Sequence, residues 1–122
     1  MANPNIVNVT SIYGNTSYLI PATSVTTWTA LTPASGTVNK LDNVVASNVT
    51  SSAATITLSV NSAISGGGTA YRIAYQISIP PNASVILIDK TTAIYVGETQ
   101  SIVATSGTTS AIELTASYEA IT

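Results

Sequence analysis

The stretch Ile112-Glu113-Leu114-Thr115-Ala116-Ser117-Tyr118-Glu119 sets the fold class. Ile112, Leu114, Ala116 and Tyr118 share one face, and Glu113, Thr115, Ser117 and Glu119 take the other. An apolar face backed by a polar one, at period two, is the pattern of an antiparallel strand that covers a core on one side only. Segment 54–61 repeats it, with Ala54, Ile56, Leu58 and Val60 set against Thr55, Thr57, Ser59 and Asn61. Segment 71–79 places Tyr71, Ile73, Tyr75, Ile77 and Ile79 on one side and Arg72, Ala74, Gln76 and Ser78 on the other. No stretch shows helical periodicity.

Segment 36–49 changes phase between Val38 and Leu41 and again at Val44-Val45, as a bulge or a strand switching sheets would require. Val85 to Ile88 reads as a strand buried on both faces. Segments 5–13, 24–31, 94–96 and 100–105 complete the set. Turn chemistry separates them at Tyr13-Gly14-Asn15, Pro33-Ala34-Ser35-Gly36, Ser65-Gly66-Gly67-Gly68, Pro80-Pro81-Asn82, Gly97-Glu98 and Ser106-Gly107. The expectation is one all-β domain over residues 1–122, an antiparallel β-sandwich or jelly roll of about eight strands. Residues 1–9 form a candidate N-terminal arm. The glycine-rich loop 62–69 reads as a flexible connection.

Composition narrows the chemistry. The chain of 122 residues is 45% hydrophobic and 7% charged, with no His and no Cys, and 36 of its residues are Ser or Thr. Lacking His and Cys, it has no imidazole base, thiol nucleophile or disulfide, and few ways to hold zinc or copper. Three basic residues and a net charge of −2 do not match a nucleic-acid backbone. The densest apolar run, Val85-Ile86-Leu87-Ile88, falls far short of the roughly 20 residues of a membrane-spanning helix. The opening Met1-Ala2-Asn3-Pro4-Asn5 lacks the basic and apolar regions of an export leader, so it does not read as a secretory signal and synthesis in the cytoplasm of the producing cell is expected.

The acidic residues do not assemble a reaction. Glu113 and Glu119 share a strand face about 20 Å apart at ~3.3 Å per residue, beyond the roughly 5–9.5 Å of paired glycosidase carboxylates. Asp89 beside Lys90, and Asp42 near Lys40, read as surface ion pairs. Gly66-Gly67-Gly68 lacks the Lys-Ser/Thr and the helix of a phosphate-binding loop. No catalytic, cofactor or metal site is therefore expected, and the chain reads as a non-enzyme. Among the aromatics, Tyr71, Tyr75 and Tyr118 fall in phase with core residues. Tyr13, Tyr18 and Trp28 do not, which leaves two readings of Trp28. It is either an exposed anchor, joining Tyr13 or Tyr18 as a stacking surface for a sugar, or a core residue on a strand of inverted phase.

Several segments together resemble a known pattern. They are Ala2-Asn3-Pro4-Asn5-Ile6-Val7-Asn8-Val9, Gly36-Thr37-Val38-Asn39-Lys40-Leu41, Val45-Ala46-Ser47-Asn48 and Ala54-Thr55-Ile56-Thr57-Leu58-Ser59-Val60. Tyr71-Arg72-Ile73-Ala74, Ile77-Ser78-Ile79-Pro80, Tyr95-Val96-Gly97-Glu98 and Ser117-Tyr118-Glu119-Ala120-Ile121 continue it. In this order they resemble the small β-sandwich virion structural proteins of tailed phages, especially cyanophages. Gly97-Glu98 stands where many relatives place Gly-Asp. The resemblance implies a non-enzymatic virion component, with a capsid decoration (cement) protein on the outer capsid lattice as the leading reading. Neck, collar, tail or fibre parts, and a carbohydrate-binding module, are the alternatives. It further implies contact with the major capsid protein or other virion proteins, a homo-oligomer with a trimer preferred, and a place on the virion. The candidate partner-contact residues are Asn3, Pro4, Asn5, Tyr13, Tyr18 and Trp28.

Overall fold

The computed structural model describes residues 4–122. Its strands are β1 (Ile12–Leu19), β2 (Thr26–Thr27), β3 (Val38–Asn48), β4 (Ala54–Asn61), β5 (Ala70–Ile79), β6 (Ser84–Ile88), β7 (Ile94–Val96), β8 (Ser101–Ser106) and β9 (Ile112–Ile121). One antiparallel sheet runs β1-β9-β3-β6, with β7 also pairing β3; the other runs β2-β8-β4-β5. The two sheets pack face to face as a β-sandwich of about nine strands.

The alternating strands supply the core as their sequences require. Ile112, Leu114 and Ala116 of β9 and Ala54, Ile56 and Leu58 of β4 point inward from opposite sheets. Tyr118 lies partly buried against this core, its hydroxyl donating to the Ala30 carbonyl at 3.3 Å. In β3 the phase change has a definite place: Leu41 pairs Tyr118 but Asn43 pairs Ser117, so Asp42 is an extra residue. The bulge turns Leu41 and Val44 to the same side, and both are fully buried. A second shift, between Val44 and Val45, belongs to the pairing with β6.

β5 departs from its alternation. Against β4 the register shifts between Ile56 and Leu58 and again between Leu58 and Ser59. Gln76 takes φ +48° at the first shift, where its N–H donates to Thr57 Oγ1. Each bulge resets the side-chain phase. Ile79 and Ala74 are buried, while Tyr71 and Tyr75 are 64% and 58% exposed rather than packed in the core. Arg72 lies over the Tyr75 ring, 5.0 Å from its centre.

Other segments also differ from their sequence reading. Residues 5–8 form a turn closed by the Asn8 N–H to the Asn5 carbonyl, and the first strand runs straight through Tyr13-Gly14-Asn15. Only Thr26–Thr27 of segment 24–31 pairs as a strand, and Thr29–Leu31 forms a 3₁₀ turn. In β6, Ile88 alone is fully buried and Ile86 points to solvent, because Ile86 pairs Val45 on the outer face of the sheet whereas Ile88 pairs the buried Val44.

Loop 62–69 is held rather than free. Asn61 Oδ1 accepts from the N–H groups of Ala63 and Gly68, and Ser101 Oγ accepts from the Gly66 N–H while donating to the Ala63 carbonyl. Gly66, at φ +69°, lies so close to the sheet that an added Cβ would stand 3.2 Å from both Thr27 Oγ1 and Val103 Cγ1. The loop thereby covers the outer face of β8 at Val103.

Candidate functional site

Buried polar groups hold the sandwich and do not converge on a reaction centre. Asn48 Nδ2 donates to the carbonyls of Ser52 and Ile79, and its Oδ1 accepts from the N–H and hydroxyl of Thr50. Asn39 Nδ2 donates to the Leu31 carbonyl at 2.9 Å. Asn48 satisfies backbone groups where β3 and β5 end, and Asn39 does so at the end of the 3₁₀ turn Thr29–Leu31, which is what a buried amide must do to be tolerated. Nothing in the local sequence sets these asparagines apart from exposed ones.

The carboxylates are likewise engaged locally. Lys40 and Asp42 pair at 3.8 Å, as their spacing suggests. Asp89, by contrast, caps the 3₁₀ turn Lys90–Thr92, accepting from the Thr91 hydroxyl and from the N–H groups of Thr91 and Thr92. The Thr91 hydroxyl, more than any other group, holds its carboxyl below the usual range. Glu98 Oε2 accepts from the Gly36 N–H at 2.7 Å, and this bond is the main reason its carboxyl also titrates low. Glu98 thus ties the β7–β8 turn to the entry of β3. Among the described residues no three His, Cys, Asp or Glu side chains gather as a metal site, and no helix is long and apolar enough to cross a membrane.

The proposed contact residues are not brought to one place. Trp28 is 1% exposed, and its Nε1–H donates to Ser17 Oγ at 3.0 Å, beneath β1. It is a core residue, which removes it as an exposed anchor. The indole needs a buried acceptor, and Ser17 is the one inward side chain of β1 placed to supply it. Tyr13 and Tyr18 are 65% and 75% exposed, but an odd and an even position on one strand face opposite sides of the sheet. No joint stacking platform of Trp28, Tyr13 and Tyr18 exists. Tyr13 instead borders an open groove of about 270 Å³ with Pro33, Asn39 and Tyr118. Pro4 and Ile6 lie beside Val38 and Tyr95 on the first sheet, and Asn5 Oδ1 accepts from the Val7 N–H. Asn3 lies outside the described residues.

What the geometry does bring out is β1 as a whole. It pairs β9 without a register break from Ile12↔Ile121 to Leu19↔Leu114, and among the described residues no strand pairs its other side. It carries no charged residue, no proline and no bulge. Ile12, Tyr13 and Tyr18 are all exposed along it. The other edges are closed by familiar means: β2 is two residues long, β6 is short and irregular, and β5 is bulged twice. The sequence does not mark the first strand because its inward positions are filled mostly by exposed or polar residues, with only Ser17 buried and Leu19 partly so, which leaves no hydrophobic period. Comparison of the chain with protein-family models, with curated proteins and with solved structures finds no match.

Proposed function

We propose that this chain is a non-enzymatic structural protein of a tailed-phage virion, and that it decorates the outer capsid lattice through contact with the major capsid protein. The observation that carries the reading is the character of the exposed surface. Its strands offer Ser, Thr, Asn and Tyr in place of charge. Depletion of charge is typical of the centre of a protein interface, while a freely diffusing monomer is better served by charged surfaces. The resemblance to small β-sandwich virion proteins, which spans nearly the whole chain, supplies the virion context. A homo-oligomer fits the same surface.

Counting copies in purified particles tests the proposal. Quantitative mass spectrometry is expected to find the chain in numbers comparable to the capsid subunit. A few copies per particle would assign it to the neck, tail or fibre instead. Absence from washed particles would overturn the virion reading.

A further inference from the structure

We infer that β1 is a self-pairing edge, and that two copies of this chain join through antiparallel β1–β1 hydrogen bonds about a two-fold axis. The direction of the backbone groups fixes which of them are available. Ser11 and Thr122 exchange both of their N–H to carbonyl bonds, so they form a hydrogen-bonded pair at the start of the β1–β9 ladder. In an antiparallel ladder such pairs alternate with pairs that make no bond to each other. Tyr13, Asn15, Ser17 and Leu19 therefore bond to β9. The N–H and carbonyl groups of Ile12, Gly14, Thr16 and Tyr18 project from the free edge of the sheet.

One register matches all of these groups with a second copy. Placing Ile12 opposite Tyr18 of the other copy, and Gly14 opposite Thr16, pairs every outward donor with an outward acceptor. Slipping by two residues in either direction leaves one end unpaired. The side chains agree with this register: Ile12 meets the exposed ring of Tyr18, an aliphatic–aromatic cross-strand pair. Gly14, where an added Cβ would meet nothing within 4 Å, leaves room beside Thr16. No charge on β1 opposes the approach of an identical strand. The first sheet then continues through the axis as β6-β3-β9-β1-β1-β9-β3-β6, and both open β1 edges disappear. A two-fold dimer of this kind uses a different symmetry from the trimer expected of a decoration protein. It rests on the edge geometry alone, so particle counting and the following test fail independently.

The register also brings Asn15 opposite itself at a position without mutual hydrogen bonds. Cα atoms there stand about 4.5 Å apart, inside the roughly 4.4–6.8 Å range of disulfides. Since the chain has no cysteine, Asn15→Cys reports on this register without background. Under mild oxidation most of the Asn15→Cys chain is expected to run as a covalent dimer on a non-reducing gel. The Ser78→Cys chain, altered at an exposed position on the bulged β5, is expected to run as a monomer. Sedimentation equilibrium of the unaltered chain is expected to give about twice 12.4 kDa. Thr16→Pro removes an outward N–H and leaves the β9 ladder whole, so it should return the mass to 12.4 kDa; Thr16→Lys, with every backbone group retained, should do the same. An unaltered chain that stays monomeric at about 1 mM would overturn the inference. So would a dimer that survives both Thr16 variants, or cross-linking of the Asn15→Cys chain no greater than that of the Ser78→Cys chain.

Discussion

β1 and β5 are both long edge strands of one sandwich, yet they treat their free sides in opposite ways. β5 is broken by two bulges, places Gln76 at φ +48°, and stacks Arg72 on Tyr75. These features twist its ladder and set a charge beside its exposed aromatics, so a flat incoming strand finds no continuous template. β1 keeps an unbroken register over Ile12–Leu19 and carries no charge. Exposure of Tyr71 and Tyr75 therefore does not have the same meaning as exposure of Tyr13 and Tyr18. Backbone continuity, rather than the number of exposed rings, marks the edge suited to a partner.

The largest effect is expected where β1 is fixed to the core. Trp28→Ala empties a fully buried site and should cost about 3–5 kcal/mol in a denaturant titration, enough to unfold a marginal domain. Ser17→Ala is the more selective way to loosen β1. It leaves the buried indole N–H without its acceptor and should cost about 1–3 kcal/mol in the same measurement. At the opposite edge, Gln76→Gly should raise stability by about 0.5–1 kcal/mol. The left-handed backbone costs a non-glycine residue about 1–2 kcal/mol, and the added freedom of the unfolded chain offsets part of that gain. No stabilisation would mean that the β5 bulge is held without strain.

The smallest effect is electrostatic and belongs to neither edge, which makes it a control. Glu98 and Asp89 both have folded pKa values below the ordinary 4.5 and 3.8. Their contribution is complete above those values and is lost as pH falls through the lower, folded ones. Thermal unfolding followed from neutral pH downward should show stability declining below the ordinary carboxylate range. Glu98→Gln should flatten that decline without changing the behaviour of β1.

The sequence was legible where one face of a strand is buried and the other is not. Segments 54–61 and 94–96 match their strands end to end, and the strand begun at Ile112 alternates through Ser117 and runs on to Ile121. It was illegible where that condition fails. β1 buries only Ser17 fully and carries no apolar alternation, so Gly14-Asn15 reads as a turn inside what is a straight strand. β5 keeps a perfect alternation in sequence, but its bulges cancel it in space. Trp28 follows a strand of two residues, too short to set a phase, and only its bond to Ser17 shows which way it faces. The loop 62–69 looked flexible because glycine is permissive, whereas Gly66 is there for close approach to Val103 and Thr27.

Amide hydrogen exchange followed across chain concentration separates the two edges in a single experiment. The N–H groups of Ile12, Gly14, Thr16 and Tyr18 are expected to exchange rapidly in dilute solution and to become protected as concentration rises. The edge amides of β5 should stay unchanged. Rapid exchange at all four β1 positions at every concentration, or equal protection appearing along β5, would refute the self-pairing edge.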